Sequence, residues 1–162
     1  MNRVFIALGA NLNQPLLQIK AAQAALTKLA HPNKVYHSPL YQSQPMGPAE
    51  QPCFINGVSM FDTKLSPLAL LDALQTIEQQ QGRVRKAERW GPRTLDLDML
   101  LYGSLIYEDE RLTLPHYDMK QRAFVLYPLA DLAPDLVLPC GTPLAQLLLS
   151  CQADGITQLP SQ

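Results

Sequence analysis

The chain has 162 residues, a formal net charge of −1, 47% hydrophobic and 17% charged residues. That length suits one domain, spanning 1–162, large enough to bury its own core, and the near-neutral balance argues against a generic nucleic-acid binder. The three cysteines, Cys53, Cys140 and Cys151, are odd in number and show no C-x-x-C spacing, which argues against a disulfide framework and a zinc site. No secretory signal and no apolar run of ~18–20 residues is present, so a cytoplasmic location without membrane insertion is expected.

Val4 to Leu8 is a short apolar run ended by Gly9, which predicts a buried strand. From Pro15, Leu16, Ile19, Ala22, Leu26 and Leu29 recur at helical spacing, and His31-Pro32-Asn33 stops the helix. Val35 to Gln42 reads as a strand interrupted by Pro39, hence an edge or bulged one. Gln44 to Pro52 is a Pro/Gly loop. Phe54 to Asp62 alternates, with Phe54, Asn56, Val58 and Met60 on one face and Ile55, Gly57, Ser59 and Phe61 on the other. The amide of Asn56 is then either a satisfied core group or a ligand reader. Ser66-Pro67 opens a second helix with a Leu70, Leu71, Leu74, Ile77 stripe, and Gly82 closes it. Leu112 to Leu114 predicts a short strand. His116 to Met119 turns into a helix through Ala123, Leu126, Tyr127 and Ala130, and Thr142-Pro143 is placed to cap a last helix through Leu147 and Leu149. Strands separated by helices, with room for a single sheet, give an α+β or α/β sandwich.

The chemistry concentrates between Arg83 and Tyr102. Arg83, Arg85, Lys86, Arg89 and Arg93 are five of the 13 Lys and Arg residues, and they surround the one Trp, Trp90. Five like charges in so short a span repel one another, so a bound anion would order them. Asp96 and Asp98 follow on a predicted strand. Side chains two apart share a face, with Cα atoms roughly 6.6 Å apart. Leu95, Leu97, Met99 and Leu101 then take the opposite face. The surrounding leucines favour a central strand over an exposed edge, and paired carboxylates on such a strand require partners. Mg²⁺ bound jointly by carboxylates and phosphate oxygens is one such partner, and the arginines suit the rest of a polyphosphate. His116 is either structural or a phosphate donor. Phe54 and Phe124 are either core residues or a sandwich for a flat heterocycle. No nucleophile–base arrangement and no glycine-rich phosphate loop is visible.

These residues carry a specific resemblance. The seventeen-residue run G-R-V-R-K-A-E-R-W-G-P-R-T-L-D-L-D resembles the signature of the 6-hydroxymethyl-7,8-dihydropterin pyrophosphokinase family. A-L-G-A-N-L near Gly9, P-M-G-P near Pro45, F-I-N-G near Asn56 and R-L-T-L-P-H-Y-D-M from Arg111 extend the likeness over nearly the whole chain. The resemblance implies a ferredoxin-like α+β sandwich, a central mostly antiparallel sheet with helices packed on its faces, and a monomer. It implies transfer of the pyrophosphoryl group of ATP to the hydroxymethyl oxygen of a reduced pterin. By that likeness Asp96 and Asp98 hold two Mg²⁺ ions, and Arg83, Arg85 and Arg93 complete the catalytic set. Leu71, Gln75, Trp90, Met99, Arg111, Thr113, His116, Tyr117 and Arg122 join those arginines around ATP. Ser43, Met46, Phe54, Asn56, Trp90 and Phe124 surround the pterin. The loops 44–52 and 83–93 are expected to close before reaction. The chain departs from the family pattern in Phe54, where Tyr is common, Ser43 for Thr, Gln44 for Pro, and Gly-Ala-Asn for Gly-Ser-Asn. Phe54 keeps a stacking face and loses any hydroxyl contact. Rival readings are an RNA-binding module and a nucleotide-binding scaffold without turnover.

Overall fold

The structure, a computed structural model, describes residues 1–11, 14–43, 54–81, 95–116, 119–151 and 156–160. Strand β1 (Asn2–Ala10) sends Val4, Ile6, Leu8 and Ala10 to one core and Phe5 and Ala7 to another. Helix α1 (Pro15–Leu26) starts on its proline and runs into a 3-10 turn over Thr27–Leu29. The predicted 35–42 strand is two short ones, β2 (Tyr36–His37) and β3 (Tyr41–Ser43), on either side of Pro39. Both pair with β4 (Phe54–Thr63). Helix α2 (Pro67–Gln80) is capped by the Ser66 hydroxyl, which accepts from Ala69 N at 3.2 Å.

Strand β5 (Asp96–Tyr102) is followed by a hairpin of β6 (Tyr107–Glu108) and β7 (Thr113–Leu114). Helix α3 (Ala123–Leu132) contains Pro128, whose missing N–H would otherwise bond the carbonyl of Phe124. Helix α4 (Leu144–Ser150) begins after Pro143. Thr142 does not cap it: Pro143 occupies the cap position, and no side chain supplies the bond. Strand β8 (Ile156–Gln158) pairs with β3.

The main sheet runs β5-β1-β4-β3-β8, all antiparallel, with β2 also on β4. One face packs against α1 and α2 through Ile19, Leu26, Leu70 and Leu74. The other packs against α3 and α4 through Val125, Leu126, Leu129 and Leu144. This is the expected α+β sandwich.

Two expectations about β5 change. Among the described residues it is an edge strand, not a central one. Its outer rim is covered by protein, so its backbone is bonded along both edges like that of a central strand. The buried Glu78 carboxylate on α2 accepts from Leu97 N at 2.7 Å, and His116 N donates to the Leu100 carbonyl at 3.0 Å. Leu101 also leaves its predicted side. The β1–β5 register slips between Phe5 and Ile6, and Leu101 joins Leu100 in the α3/α4 core, while Tyr102 returns to the α1/α2 core. The bulge inserts one residue, so alternation restarts out of phase beyond it.

Candidate active site

The register decides what shares a face. Asp96 lies opposite Gly9, Gly9 opposite Asn56, and Asn56 opposite Tyr41, in one row across four strands. The next row is Asp98, Ala7 and Val58. Directly paired residues project to the same side, and adjacent strands lie about 4.8 Å apart. The two carboxylates and the Asn56 amide therefore share the α3 side of the sheet, separated only by the small residues of β1. Gly9 makes this floor close-fitting: a Cβ there would stand 2.8 Å from Asn56 Oδ1. Asn56 as a whole is 7% exposed.

The carboxylate end remains open, with the Asp98 side chain 38% exposed. His116 Nε2 stands 4.0 Å from Asp98 Oδ1, and the backbone N–H of His116 fixes that segment to β5. The β6–β7 hairpin delivers Arg111. Asp109 Oδ1 accepts from Arg111 N at 2.8 Å and Leu112 N at 2.9 Å, which closes the hairpin turn. The Tyr107 hydroxyl also donates to Asp109, and chiefly for that reason the Asp109 carboxyl is held below the usual carboxylate range. The Arg111 guanidinium reaches α2, with Nη2 2.5 Å from Asp72 Oδ1 and 3.4 Å from Gln75 Oε1. Leu71 and Met99 pack in one core with Leu112 and Leu114, which flank Thr113. Gln75, Arg111, Thr113, His116 and Asp98 thus belong to segments gathered along the β5 edge.

On the other side of Gly9, Ser43 pairs with Phe54, two residues from Asn56. Phe124 is half-buried beside the α3/α4 core, and the Arg122 guanidinium stands 5.5 Å from its ring centroid. Arg83, Arg85, Trp90, Arg93, Met46 and Tyr117 lie outside the described residues.

Among the described residues, no group of three or more His, Cys, Asp or Glu is placed to hold a metal ion. The oxygen pair of Asp96 and Asp98 instead suits a hard cation that takes its remaining ligands from phosphate and water.

The sequence profile described as 7,8-dihydro-6-hydroxymethylpterin-pyrophosphokinase (HPPK) matches residues 5–134. The chain belongs to the HPPK family. It is 58% identical over 160 residues to the 2-amino-4-hydroxy-6-hydroxymethyldihydropteridine pyrophosphokinase of Pseudomonas aeruginosa, covering 99% of this chain and 98% of that one. It is 52% identical to the Haemophilus influenzae protein of the same name, covering 91% and 92%. The folic acid synthesis protein fol1 of Schizosaccharomyces pombe is 41% identical over 94% of this chain, which spans 21% of that longer protein. Among solved structures, the Plasmodium falciparum HPPK-DHPS with pteroate superposes with a TM-score of 0.72 at 14% identity, over 92% of this chain and 42% of that one. That likeness shows the fold. The HPPK resemblance drawn from the motifs is therefore correct, and nothing among these relatives supports the RNA-binding or turnover-free alternatives. Among the described residues, no helix is long and apolar enough to cross a membrane.

Several contributors carry no motif. Glu78 sits in a polar helix end, where a charge is normally solvated, yet it is 1% exposed and bonds the strand between the two aspartates. Tyr41 lies in the Asn56 row, and its hydroxyl donates to Asp131 on α3. Burial, then that bond, pushes the phenol well above its ordinary range. Asp72 is visible only through its contact with Arg111.

Proposed function

We propose that this chain transfers the pyrophosphoryl group of ATP to the hydroxymethyl oxygen of 6-hydroxymethyl-7,8-dihydropterin in folate biosynthesis, releasing AMP. The observation that carries this is the Asp96–Gly9–Asn56 row. It puts a carboxylate and an amide on one sheet face, about two strand spacings apart, which supports a metal and phosphate end beside a group that reads a heterocycle edge. A substrate held at Asn56 thereby presents its hydroxymethyl arm toward the carboxylate end.

In this reading the hydroxymethyl oxygen bonds to the middle phosphorus, the bond from that phosphorus to the α,β-bridging oxygen breaks so that this oxygen leaves with AMP, and the hydroxyl proton passes to water or to a carboxylate such as Asp98. Asp96 and Asp98 are assigned to two Mg²⁺ ions, which when bound neutralise charge on the phosphate oxygens. Arg111 and His116 hold phosphates, joined by Arg83, Arg85, Arg93, Tyr117 and Arg122. Leu71, Gln75, Met99 and Thr113 border the nucleotide base. Asn56 fixes the pterin edge, Phe54 and Phe124 flank its rings, and Ser43, Met46 and Trp90 complete the enclosure. Positioning and electrostatic stabilisation supply the rate, since no covalent step is required. ATP binds before the pterin and helps build its pocket. The protein works as a cytoplasmic monomer on two small molecules, without nucleic acid or membrane.

The test supplies ATP, Mg²⁺ and the reduced pterin alcohol and follows the nucleotide product. AMP is expected. ADP would make the protein a simple kinase, and no turnover with salt-sensitive oligonucleotide binding would restore the RNA module. Equal pterin affinity with and without a non-hydrolysable ATP analogue would refute the binding order.

A further inference from the structure

We propose that Asp72 is a positioning residue for the nucleotide, acting by clasping Arg111. The inference rests on the function proposed above and assigns a role to a side chain outside the family motifs.

Arg111 is fixed at both ends. Its backbone N–H donates to Asp109 Oδ1 at 2.8 Å, within the hairpin turn. Its guanidinium is held by one nitrogen only, Nη2, which meets Asp72 Oδ1 at 2.5 Å and Gln75 Oε1 at 3.4 Å. Among the described residues, Nε and Nη1 donate to no other protein group. A guanidinium carries five N–H donors in a rigid fork. Clasping one corner sets the plane of that fork and leaves the other edge for an anion. Asp72 and Gln75 are three residues apart on α2, so they approach Arg111 from one face of one helix.

Exposure favours a role in binding over one in folding. The Arg111 and Asp72 side chains are 45% and 63% exposed. A pair this wet adds little to stability. Its effect is to restrict a long side chain that otherwise samples many rotamers, so less freedom is lost when a phosphate arrives. Asp72 also brings a negative charge close to a polyanion, which is tolerable only while Arg111 neutralises it. Asp72 therefore helps through Arg111 and in no other way.

The experiment measures affinity for a non-hydrolysable ATP analogue, with ATP KM and kcat, in the full chain carrying D72A, D72N, R111A or both D72A and R111A. R111A weakens binding. D72A weakens it about two- to fivefold and raises KM while leaving kcat within about twofold. D72N keeps an acceptor oxygen and recovers most of the loss. In the R111A background, D72A weakens binding no further. Unchanged or tighter binding by D72A, or additional loss on top of R111A, overturns the clasp. Normal analogue binding by R111A would overturn both the clasp and the phosphate role of Arg111. Weakened R111A with unaltered D72A would remove the clasp alone and leave the proposed function standing.

Discussion

Replacing Gly9 with alanine tests the arrangement of the site with one methyl group. The new Cβ would lie 2.8 Å from Asn56 Oδ1, where ordinary contact begins near 3.4 Å. The amide must retreat by about 0.6 Å, and as the end of a side chain it can do so without moving a strand. A hydrogen bond of about 2.9 Å stretched by that much reaches a length at which little of it survives. Asn56 can offer two such bonds to a heterocycle edge, each contributing about 0.5–1.5 kcal/mol. The loss is then about 1–3 kcal/mol, or roughly 5- to 150-fold in pterin affinity. Strand backbone readily accepts alanine, so the melting temperature should move little. Steady-state kinetics with varied pterin, beside analogue titrations for the nucleotide site, read the two effects separately. G9A should raise the pterin KM and spare nucleotide affinity, and once Asn56 is itself alanine, G9A should add nothing. A G9A enzyme with ordinary pterin KM and unaltered melting would show that Asn56 does not read the substrate.

Further expectations concern the edge strand and a surface pair. D96N and D98N should each lower AMP release by about 10²–10³-fold or more while circular dichroism stays native; ordinary turnover in either would remove the metal role. E78A should cost about 1–3 kcal/mol in a urea melt, because Leu97 N loses its acceptor in a buried place, and E78Q should cost less. Arg3 meets Asp62 with Nε–Oδ1 at 2.8 Å and Nη2–Oδ2 at 3.1 Å, and that bonding is the main reason the Asp62 carboxyl titrates below its ordinary value. A lowered folded value means that the stabilisation is present above the unfolded value of about 3.9 and disappears as pH falls through the folded one. The Arg3 side chain is 50% exposed and that of Asp62 34%, so solvent screening holds its size to at most about 1 kcal/mol. Wild type and D62N should differ slightly at pH 7 and converge near pH 2; a gap that persists in acid would exclude ionisation as its source.

Much of this molecule is written in local patterns. Alternation in Phe54 to Asp62 places Asn56 beside Val58 on one face, as found. Ser66-Pro67 starts its helix for the expected capping reason. The pairing of Asp96 with Asp98 needs only the period of a strand. What escapes local reading depends on distant partners. An apolar run looks the same at the centre of a sheet and at an edge roofed by a helix, so Leu95 to Leu101 misplaced β5. The bulge that turns Leu101 leaves no trace in composition. Ile156 to Gln158 becomes a strand only because β3 offers an edge. The Asn56–Gly9–Asp96 row requires two registers, neither of which a single segment encodes.

The roofing of β5 also bears on solubility. A bare terminal strand invites another chain to dock and extend the ladder. Here the Glu78 carboxylate and the segment at His116 already occupy bonding positions along that rim. Among the described residues, the other edges of the sheet are β8, three residues long, and β2, two residues long. Fibre growth through this sheet would thus have to begin on a stub too short to template it, and loss of the Glu78 cover would open a longer and stickier route.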